Sequence, residues 1–272
     1  MKRLLLAAAA FGSFASAPAA LANHHEKADA MAQVLSDERR DDDRARDQYR
    51  HPAETLDFFG VKPGMTIVDY MPSSGWYTRV LVPYIGTTGR YIGINPDGST
   101  ANDATFTDYA AKLSPRFRSE MAGWRLAGAP VELYDSNELD AAANGTVDRV
   151  LIFREMHNLH RRGIVHQELT RLRALLKDDG LLGVVQHRAK PWASGDYTNG
   201  SKGYLRQSDV IGLIEAHGFE LVATSEVNAN PRDPANHSRG VWELPPVSGN
   251  DDPALREIGE SDRMTLLFKK RL

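Results

Sequence analysis

The feature that most constrains the fold of this chain is the alternation of short apolar strands with helices. A first apolar strand is followed by a polar turn and an amphipathic helix, and this order repeats along the chain. Such alternation implies parallel crossover connections and a sheet covered by helices on both faces. The predicted strands occupy residues 65–71, 90–95, 131–134, 147–153, 181–186, 219–223 and 264–268.

The predicted helices carry recognisable start and stop signals. A short helix over 53–59 precedes the sheet, with Gly60 as its C-cap. Between the fourth and fifth strands, leucines at 169, 172, 175 and 176 follow helical spacing, and residues 178–180 are predicted to end that helix. Ser208 is predicted to cap the next helix, which stops at Gly218. The chain is therefore predicted to be an α/β protein.

The first 22 residues have the pattern of a secretory signal peptide. A basic start is followed by an apolar run over 4–14 and by small residues at 20–22, where signal peptidase cuts. The run is shorter than the about 20 apolar residues that a membrane span needs. We predict cleavage after Ala22 and a periplasmic protein. An N-terminal anchor or a buried first helix is the alternative.

The sequence divides into three segments: a signal peptide over 1–22, a charged helical extension over 23–50 and one α/β domain over 51–272. Mixed charges in the extension favour a solvated helix face or a mobile leader over a binding site. Residues 224–262 form a loop insertion between the last two strands, and loops of this length are often lids.

Composition narrows the classes of partner and chemistry. The chain has no cysteine, which excludes disulfides, thiolate catalysis and cysteine-ligated zinc. Lys and Arg number 33 against 36 Asp and Glu, a net charge of −3 with no concentrated basic face. We therefore expect no nucleic-acid partner, and no membrane partner once the signal is cleaved.

Several short motifs resemble those of class I S-adenosylmethionine (SAM) methyltransferases. KPGM at 62–65 precedes the first strand, which carries Asp69 near its end. LKDDGL at 176–181 is similar to the family's turn before strand five, and GF at 218–219 to its usual pair before strand six. GWYT at 75–78, REMHN at 154–158 and GESDRM at 259–264 resemble an exported branch of predicted methyltransferases.

The resemblance, which covers about residues 50–272, implies a Rossmann-like methyltransferase fold. The implied sheet has seven mostly parallel strands in the order 3-2-1-4-5-7-6, with the last strand antiparallel. The cofactor-binding positions that it implies in this chain are Asp69, Ser73, Gly75, Asn95 and Asp135.

The cofactor motif departs from the family pattern at two places. The glycine-rich turn after strand one, which lets the backbone approach the cofactor, keeps only its third glycine, Gly75. Met71 and Ser73 occupy the first two glycine positions. At the end of strand two, Asn95 replaces the acid that would hold the ribose hydroxyls. Because SAM is made in the cytoplasm and this chain is predicted to be exported, we expect that SAM use has been lost and that no cofactor is needed.

Acid–base residues follow the strands whose carboxyl ends meet at one edge of such a sheet, where ligands bind. Glu155 and His157 follow strand four, His187 follows strand five, and Tyr77 follows strand one. We predict these four as catalytic residues, because imidazole and carboxyl groups exchange protons near neutral pH. The predicted substrate-binding residues are Arg154, Asn158, Trp76, Arg188, Tyr204, His237 and Trp242.

Three functions are compatible with these residues. The leading prediction is a SAM-independent lyase that cleaves or eliminates a small fragment, such as formaldehyde, from a small aromatic, phenolic substrate. The alternatives are a SAM-dependent methyltransferase of a small molecule and a non-catalytic periplasmic binding protein. His157 and His160, three residues apart beside Glu155, would also suit a metal, but no specific metal motif occurs and none is predicted.

Overall fold

The computed structural model describes residues 28–101, 103–247 and 252–272. In this described part of the chain, a single sheet contains seven strands in the order β3-β2-β1-β4-β5-β7-β6. The strands are β1 Thr66–Tyr70, β2 Arg90–Asn95, β3 Val131–Asp135, β4 Val147–Phe153, β5 Leu176–His187, β6 Phe219–Ser225 and β7 Arg263–Lys270. The predicted strand order is confirmed.

The sheet is parallel except at β7. β1 pairs in parallel with β2 and β4, and the parallel pairs extend outwards to β3 and β5. β7 runs antiparallel between β5 and β6, so His187 at the end of β5 lies opposite Arg263 at the start of β7. The strand order reverses direction between β1 and β4, which creates a crevice beyond their carboxyl ends.

Helices cover both faces of the sheet and bury two apolar cores. On one face, Leu169 and Leu172 pack with Val68 of β1. On the other face, Leu56 and Leu81 pack with Ile67, the neighbouring residue of the same strand. After a first helical segment over 28–36, the helices are α1 Asp41–Arg44, α2 Asp47–Arg50, α3 Pro52–Phe58, α4 Thr78–Ile85, α5 Ala104–Ala110, α6 Leu113–Met121, α7 Met156–Arg162, α8 Val165–Leu175, α9 Gln207–Glu215 and α10 Pro253–Ile258.

Element boundaries differ from the sequence prediction at three points. α8 ends at Leu175, and residues 178–180 belong to β5 instead of ending the helix. Arg206 is the N-cap of α9, while the Ser208 hydroxyl donates to Asp209 instead of capping. Phe59 is the C-cap of α3, and Gly60 follows it with a positive φ of 63°. These local signals were outweighed by strand pairing and tertiary contacts.

The charged N-terminal extension is packed against the domain, which corrects its interpretation as a solvated or mobile leader. Residues 28–36 are helical, and a 3₁₀ turn then leads into α1 and α2. Arg40 is only 1% exposed and pairs with Asp47 at 2.7 Å. Arg79 of α4 pairs with Asp43 of α1 at 2.6 Å. Ion pairing allows these charged side chains to be buried. The mixture of positive and negative residues in the sequence does not reveal which of them form such pairs.

Two predicted segments complete the description. The predicted signal peptide over 1–22 lies outside the described residues. The 224–262 insertion starts at the end of β6 and includes a 3₁₀ turn, Gly240–Glu243, and α10. None of the helices that the structure describes is long and apolar enough to cross a membrane.

Candidate active site

A cavity of about 470 Å³ lies in the crevice beyond the carboxyl ends of β1, β4 and β5. Its size falls within the about 300–1,000 Å³ that is usual for small-molecule sites. Ten of the residues predicted from the sequence line it: Asp69, Ser73, Trp76, Tyr77, Arg154, Glu155, His157, Asn158, His187 and Trp242. Topology therefore brings side chains from distant parts of the chain to one place.

Three of the predicted cofactor residues, Gly75, Asn95 and Asp135, lie outside the cavity lining. Asn95 is buried at the end of β2, and its amide donates to the Ser114 hydroxyl at 2.9 Å. Ser114 in turn donates to Asp135 at 2.5 Å. This chain of hydrogen bonds joins β2, α6 and β3, and neither Asn95 nor Asp135 lines the cavity, so their contact with a cofactor stays a prediction.

Three of the predicted substrate-binding residues also lie outside the lining. Arg188 forms ion pairs with Glu226 at 2.7 Å and with Asp262 at 3.0 Å. Tyr204 donates to Asp233 at 2.8 Å, and His237 Nε2 lies 3.0 Å from the same carboxylate. These contacts hold the 224–262 insertion against the sheet. Because of these contacts, the three polar side chains stabilise the insertion instead of lining the cavity.

The turn between β1 and α4 has an unusual backbone conformation. Met71, Ser73 and Gly75 have φ values of 51°, 53° and 72°, all in the left-handed region. Glycine enters this region without strain, whereas other residues do so rarely. A Cβ on Gly75 would lie 2.0 Å from the Trp124 ring, which leaves no space for a larger residue. Gly75 does not line the cavity but shapes the turn that does.

Asp69 lies at the cavity wall near the end of β1 and is 2% exposed. Its carboxylate accepts a hydrogen bond of 2.9 Å from the Tyr91 hydroxyl, which lies 2.8 Å from the Thr78 hydroxyl. Burial raises the pKa of Asp69 to about 7, against the opposing effect of the Tyr91 hydrogen bond. The group therefore titrates near neutral pH.

Glu155 lies two residues after the end of β4 and immediately precedes α7. Its carboxylate accepts a hydrogen bond of 2.6 Å from the Asn158 amide. Burial raises the pKa of Glu155 to about 7, and the Asn158 hydrogen bond opposes this only in part. The preceding Arg154 has a positive φ of 64°, a strained conformation for a residue other than glycine that is typical of functional sites.

The two predicted catalytic histidines lie side by side, with ring centroids 5.8 Å apart. His187 Nδ1 lies 2.5 Å from the Ser261 hydroxyl, and His157 Nδ1 has no hydrogen-bond partner among the described residues. Burial lowers the pKa of His157 to about 3, with a further contribution from Arg161. Burial, assisted by Arg263, lowers the pKa of His187 well below its usual value. Both rings are neutral at physiological pH.

Tyr77 forms part of the apolar wall. Its ring stacks on Phe153 with centroids 3.5 Å apart, and its hydroxyl donates to the Arg50 carbonyl oxygen at 3.4 Å. Trp76 and Trp242 add two more aromatic surfaces to the cavity. Within the described residues, no group of three or more His, Asp or Glu side chains is arranged to hold a metal ion.

Four arginines of the lining, unlike Arg154, were not among the site residues predicted from the sequence. Arg46 and Arg50 from the N-terminal extension and Arg161 and Arg162 from α7 reach the cavity. Phe106 of α5 lines it as well. Arg50 is the last residue of the predicted extension, which places it beside the start of the domain. Its contact with the turn after β1, however, depends on the tertiary packing.

Comparison with known proteins identifies the fold. No protein-family model and no curated protein matches the chain. A SAM-dependent methyltransferase from Aquifex aeolicus is similar in structure, with 18% identity, a TM-score of 0.51, and coverage of 73% of this chain and 93% of that one. A chain of the complex between the Haloferax volcanii Trm112 methyltransferase activator and a methyltransferase has 16% identity, a TM-score of 0.51 and coverage of 90% and 97%.

Mitomycin 7-O-methyltransferase is a third similar structure, with 15% identity, a TM-score of 0.50, and coverage of 89% of this chain and 60% of that one. The chain has the Rossmann-like fold of class I SAM-dependent methyltransferases, as the sequence motifs predicted.

These comparisons correct the leading functional prediction. A SAM-independent lyase without a cofactor was expected because two glycines and one acid of the cofactor motif are replaced. The three structures named above that share the fold are instead described as methyltransferase structures, which agrees with the alternative prediction. The argument from the lost glycines concerned the approach of the backbone to a cofactor, and in the structure Met71 and Ser73 adopt left-handed conformations that glycine usually supplies.

The raised pKa of Glu155 predicts a pH-dependent stability. The folded-state pKa, about 7, exceeds the ordinary 4.5, so folding favours the protonated carboxyl. This contribution is complete below pH 4.5 and is lost as the pH rises through about 7. Relative to Glu155→Gln, whose amide stays neutral, the wild type should lose unfolding free energy over that interval. Urea denaturation at a series of pH values measures the difference.

Glu220→Gln is the matched control, because Glu220 is 50% exposed on β6 and pairs with Lys269 at the surface. Its stability profile should run parallel to that of the wild type over the same pH interval. If the profile of Glu155→Gln also runs parallel to the wild type, Glu155 is not the group that titrates near neutrality.

Proposed function

We propose that the protein is a SAM-dependent methyltransferase that acts on a small molecule. The observation that carries this proposal is the turn after β1, in which alternate residues Met71, Ser73 and Gly75 are left-handed. Left-handed residues other than glycine cost of the order of 1–3 kcal/mol each and persist where surrounding structure holds them. The turn therefore holds, at three alternate positions, a positive φ that glycine adopts without strain, although only one of the three residues is glycine.

The residues of this turn fit the proposed cofactor. Asp69, Ser73 and Ser74 line the cavity next to the left-handed turn and would hold polar groups of SAM. Asn95 is bonded to Ser114, so the β1 side of the crevice would carry most of the binding. When bound, SAM supplies an electrophilic methyl group. The chain's own contribution is to bind the acceptor, exclude water and remove a proton.

Glu155 is the side chain best suited to remove that proton. Its pKa of about 7 matches neutral working conditions, where a general base is most effective. His157, with a pKa of about 3, is a much weaker base but can orient a hydroxyl or amine through a hydrogen bond. The aromatic rings of Trp76, Tyr77 and Trp242 would exclude water and favour a flat acceptor.

Binding of SAM to the purified protein is the direct test of the proposal. We expect micromolar affinity by isothermal titration calorimetry for the wild type. Gly75→Ala should abolish it, because the added Cβ would strike Trp124 and displace the turn. Gly145→Ala is the matched control: its φ of 69° is close to that of Gly75, but nothing lies within 4 Å of its Cβ position.

Ser73→Gly makes the test sharper, because glycine keeps the left-handed φ without strain. This variant should bind SAM as tightly as the wild type or more tightly. Failure of the wild type to bind SAM would exclude the proposed function. Equal losses in Gly75→Ala and Gly145→Ala would show that the turn has no special part in binding.

The role of Glu155 predicts a loss of turnover without a loss of cofactor binding. Glu155→Gln should lower the rate of S-adenosylhomocysteine formation with a small phenolic acceptor by about 10²–10⁴-fold, the usual contribution of a general base. The SAM dissociation constant should change little. An unchanged rate would reassign the base, and His157→Gln, measured in parallel, would show whether His157 performs that step.

Export remains part of this proposal, supported by the basic, apolar and small-residue pattern of residues 1–22. The expected result is a mature protein in the periplasmic fraction whose N-terminal residue is Asn23, as measured by mass spectrometry of the intact chain. Retention of Met1 in a cytoplasmic product would exclude export.

A further inference from the structure

One wall of the cavity is formed by four arginines that surround a single glutamate. Arg46 precedes α2 and Arg50 ends it, Arg154 follows β4, and Arg263 begins β7. All four line the cavity around Glu260, and we call them the arginine cluster. Segments that are distant in the sequence thus supply guanidinium groups to one place, as expected for a site that has been built by the fold.

Positive charge in the arginine cluster exceeds the negative charge that faces it. Glu260 accepts from Arg46 Nε at 2.5 Å and from Arg263, and it lies 3.8 Å from Arg50 Nε. Burial would raise the pKa of Glu260, but the surrounding arginines hold it at about 2, so this carboxylate is ionised. One negative charge therefore faces four positive ones.

Other carboxyls on the cavity wall do not remove this excess. The pKa values of Asp69 and Glu155 are raised to about 7, so each is only partly ionised at neutral pH. Burial and the nearby Arg263 lower the pKa of Arg154 to about 10, which is a sign that the cluster lacks compensating negative charge. A bound anion would supply that charge.

Several buried donors of the arginine cluster have no partner among the described residues. Arg50 is 2% exposed, and its Nε and Nη1 atoms make no hydrogen bond with that part of the chain. Arg263 is also 2% exposed, and its Nε is likewise without a hydrogen bond there. Unsatisfied charged donors are costly to bury. A carboxylate or phosphate offers the acceptor oxygens that these donors need.

Arg50 is held in a fixed position for such a contact. Its guanidinium carbon lies 4.4 Å from the centroid of the Trp76 ring, a cation–π arrangement. The Trp76 indole is itself fixed by a hydrogen bond of 3.2 Å to the Asp43 carbonyl oxygen. Tyr77 donates to the backbone carbonyl oxygen of Arg50. An arginine that is ordered before binding loses little entropy when it engages an anion.

The position of the cluster favours the methyl acceptor over the cofactor as its ligand. Arg154 and Arg263 lie at the ends of β4 and β7, on the opposite side of the crevice from β2 and β3. In a doubly wound sheet, a nucleotide binds beside the turn after β1 and towards β2 and β3. The stacked rings of Tyr77 and Phe153 lie beside the cluster and offer a surface for an aromatic body.

We propose that the methyl acceptor carries a carboxylate or phosphate group, and that the arginine cluster binds this group. Identifying the ligand as a methyl acceptor rests on the function proposed above. The preference of the cavity for an anion does not rest on that function, because it follows from the excess positive charge and the unpartnered donors.

Intrinsic tryptophan fluorescence of the intact protein provides the test, because Trp76 contacts Arg50. Benzoate and phenyl phosphate are the anionic probes, and benzamide is the neutral one. The wild type should bind both anions at least tenfold more tightly than benzamide. Arg50→Gln should weaken benzoate binding at least tenfold while benzamide affinity stays within twofold.

Circular dichroism shows whether Arg50→Gln folds. If it does not fold, Arg154→Gln is the second variant, and we expect the same tenfold loss of benzoate affinity. Arg116→Gln is the control, because Arg116 is 69% exposed and pairs with its helix neighbour Glu120 at the surface. It should leave benzoate affinity unchanged. SAM binding by calorimetry, measured on each variant, should stay within twofold of the wild type.

Two results would overturn the inference. Equal affinity of the wild type for benzoate and benzamide would show that the cluster does not select anions. A tenfold loss of SAM affinity in Arg50→Gln would show that the cluster binds the cofactor's own carboxylate instead. If the wild type fails to bind SAM but still prefers benzoate, the proposed methyltransferase function fails while the anion site stands.

Discussion

The structure depends on one topological constraint, the reversal of strand order between β1 and β4 in a sheet whose neighbouring strands are parallel. Helical crossovers force the carboxyl ends of β1, β4 and β5 to the same edge, where the diverging connections leave a crevice above the strands. The cavity and most of its polar side chains follow from this arrangement. The antiparallel β7 completes it by bringing Arg263 beside His187.

Burial determines the protonation states of the groups at this edge. Desolvation raises the pKa of Asp69 and Glu155 to about 7 and lowers that of His157 to about 3. The carboxyls thus become groups that titrate near neutrality, while the histidine stays neutral, the reverse of their usual roles in water. This exchange of roles explains why Glu155 is a better candidate base than either histidine.

The sequence predicted the position of ten cavity residues, and the place of several of them depends on strand order alone. Glu155 and His157 come shortly after β4 and His187 ends β5, so recognition of the alternating pattern was sufficient to bring them together. Asn95 and Arg188 also follow strands, yet both side chains turn to local partners, Ser114 and Asp262. A side chain's direction is set by its hydrogen bonds in the folded state, which no linear pattern reports.

The α/β class, the seven-stranded order and the edge of the sheet that holds the cavity could all be read from the sequence, because they follow from hydrophobic periodicity and short family motifs. The backbone of the turn after β1 and the charge of the cavity became visible only in the folded chain. Met71 and Ser73 are left-handed because the surrounding fold holds them there. Arg50 reaches the cavity because the N-terminal extension packs on Trp76, a contact between residues that are far apart in the chain.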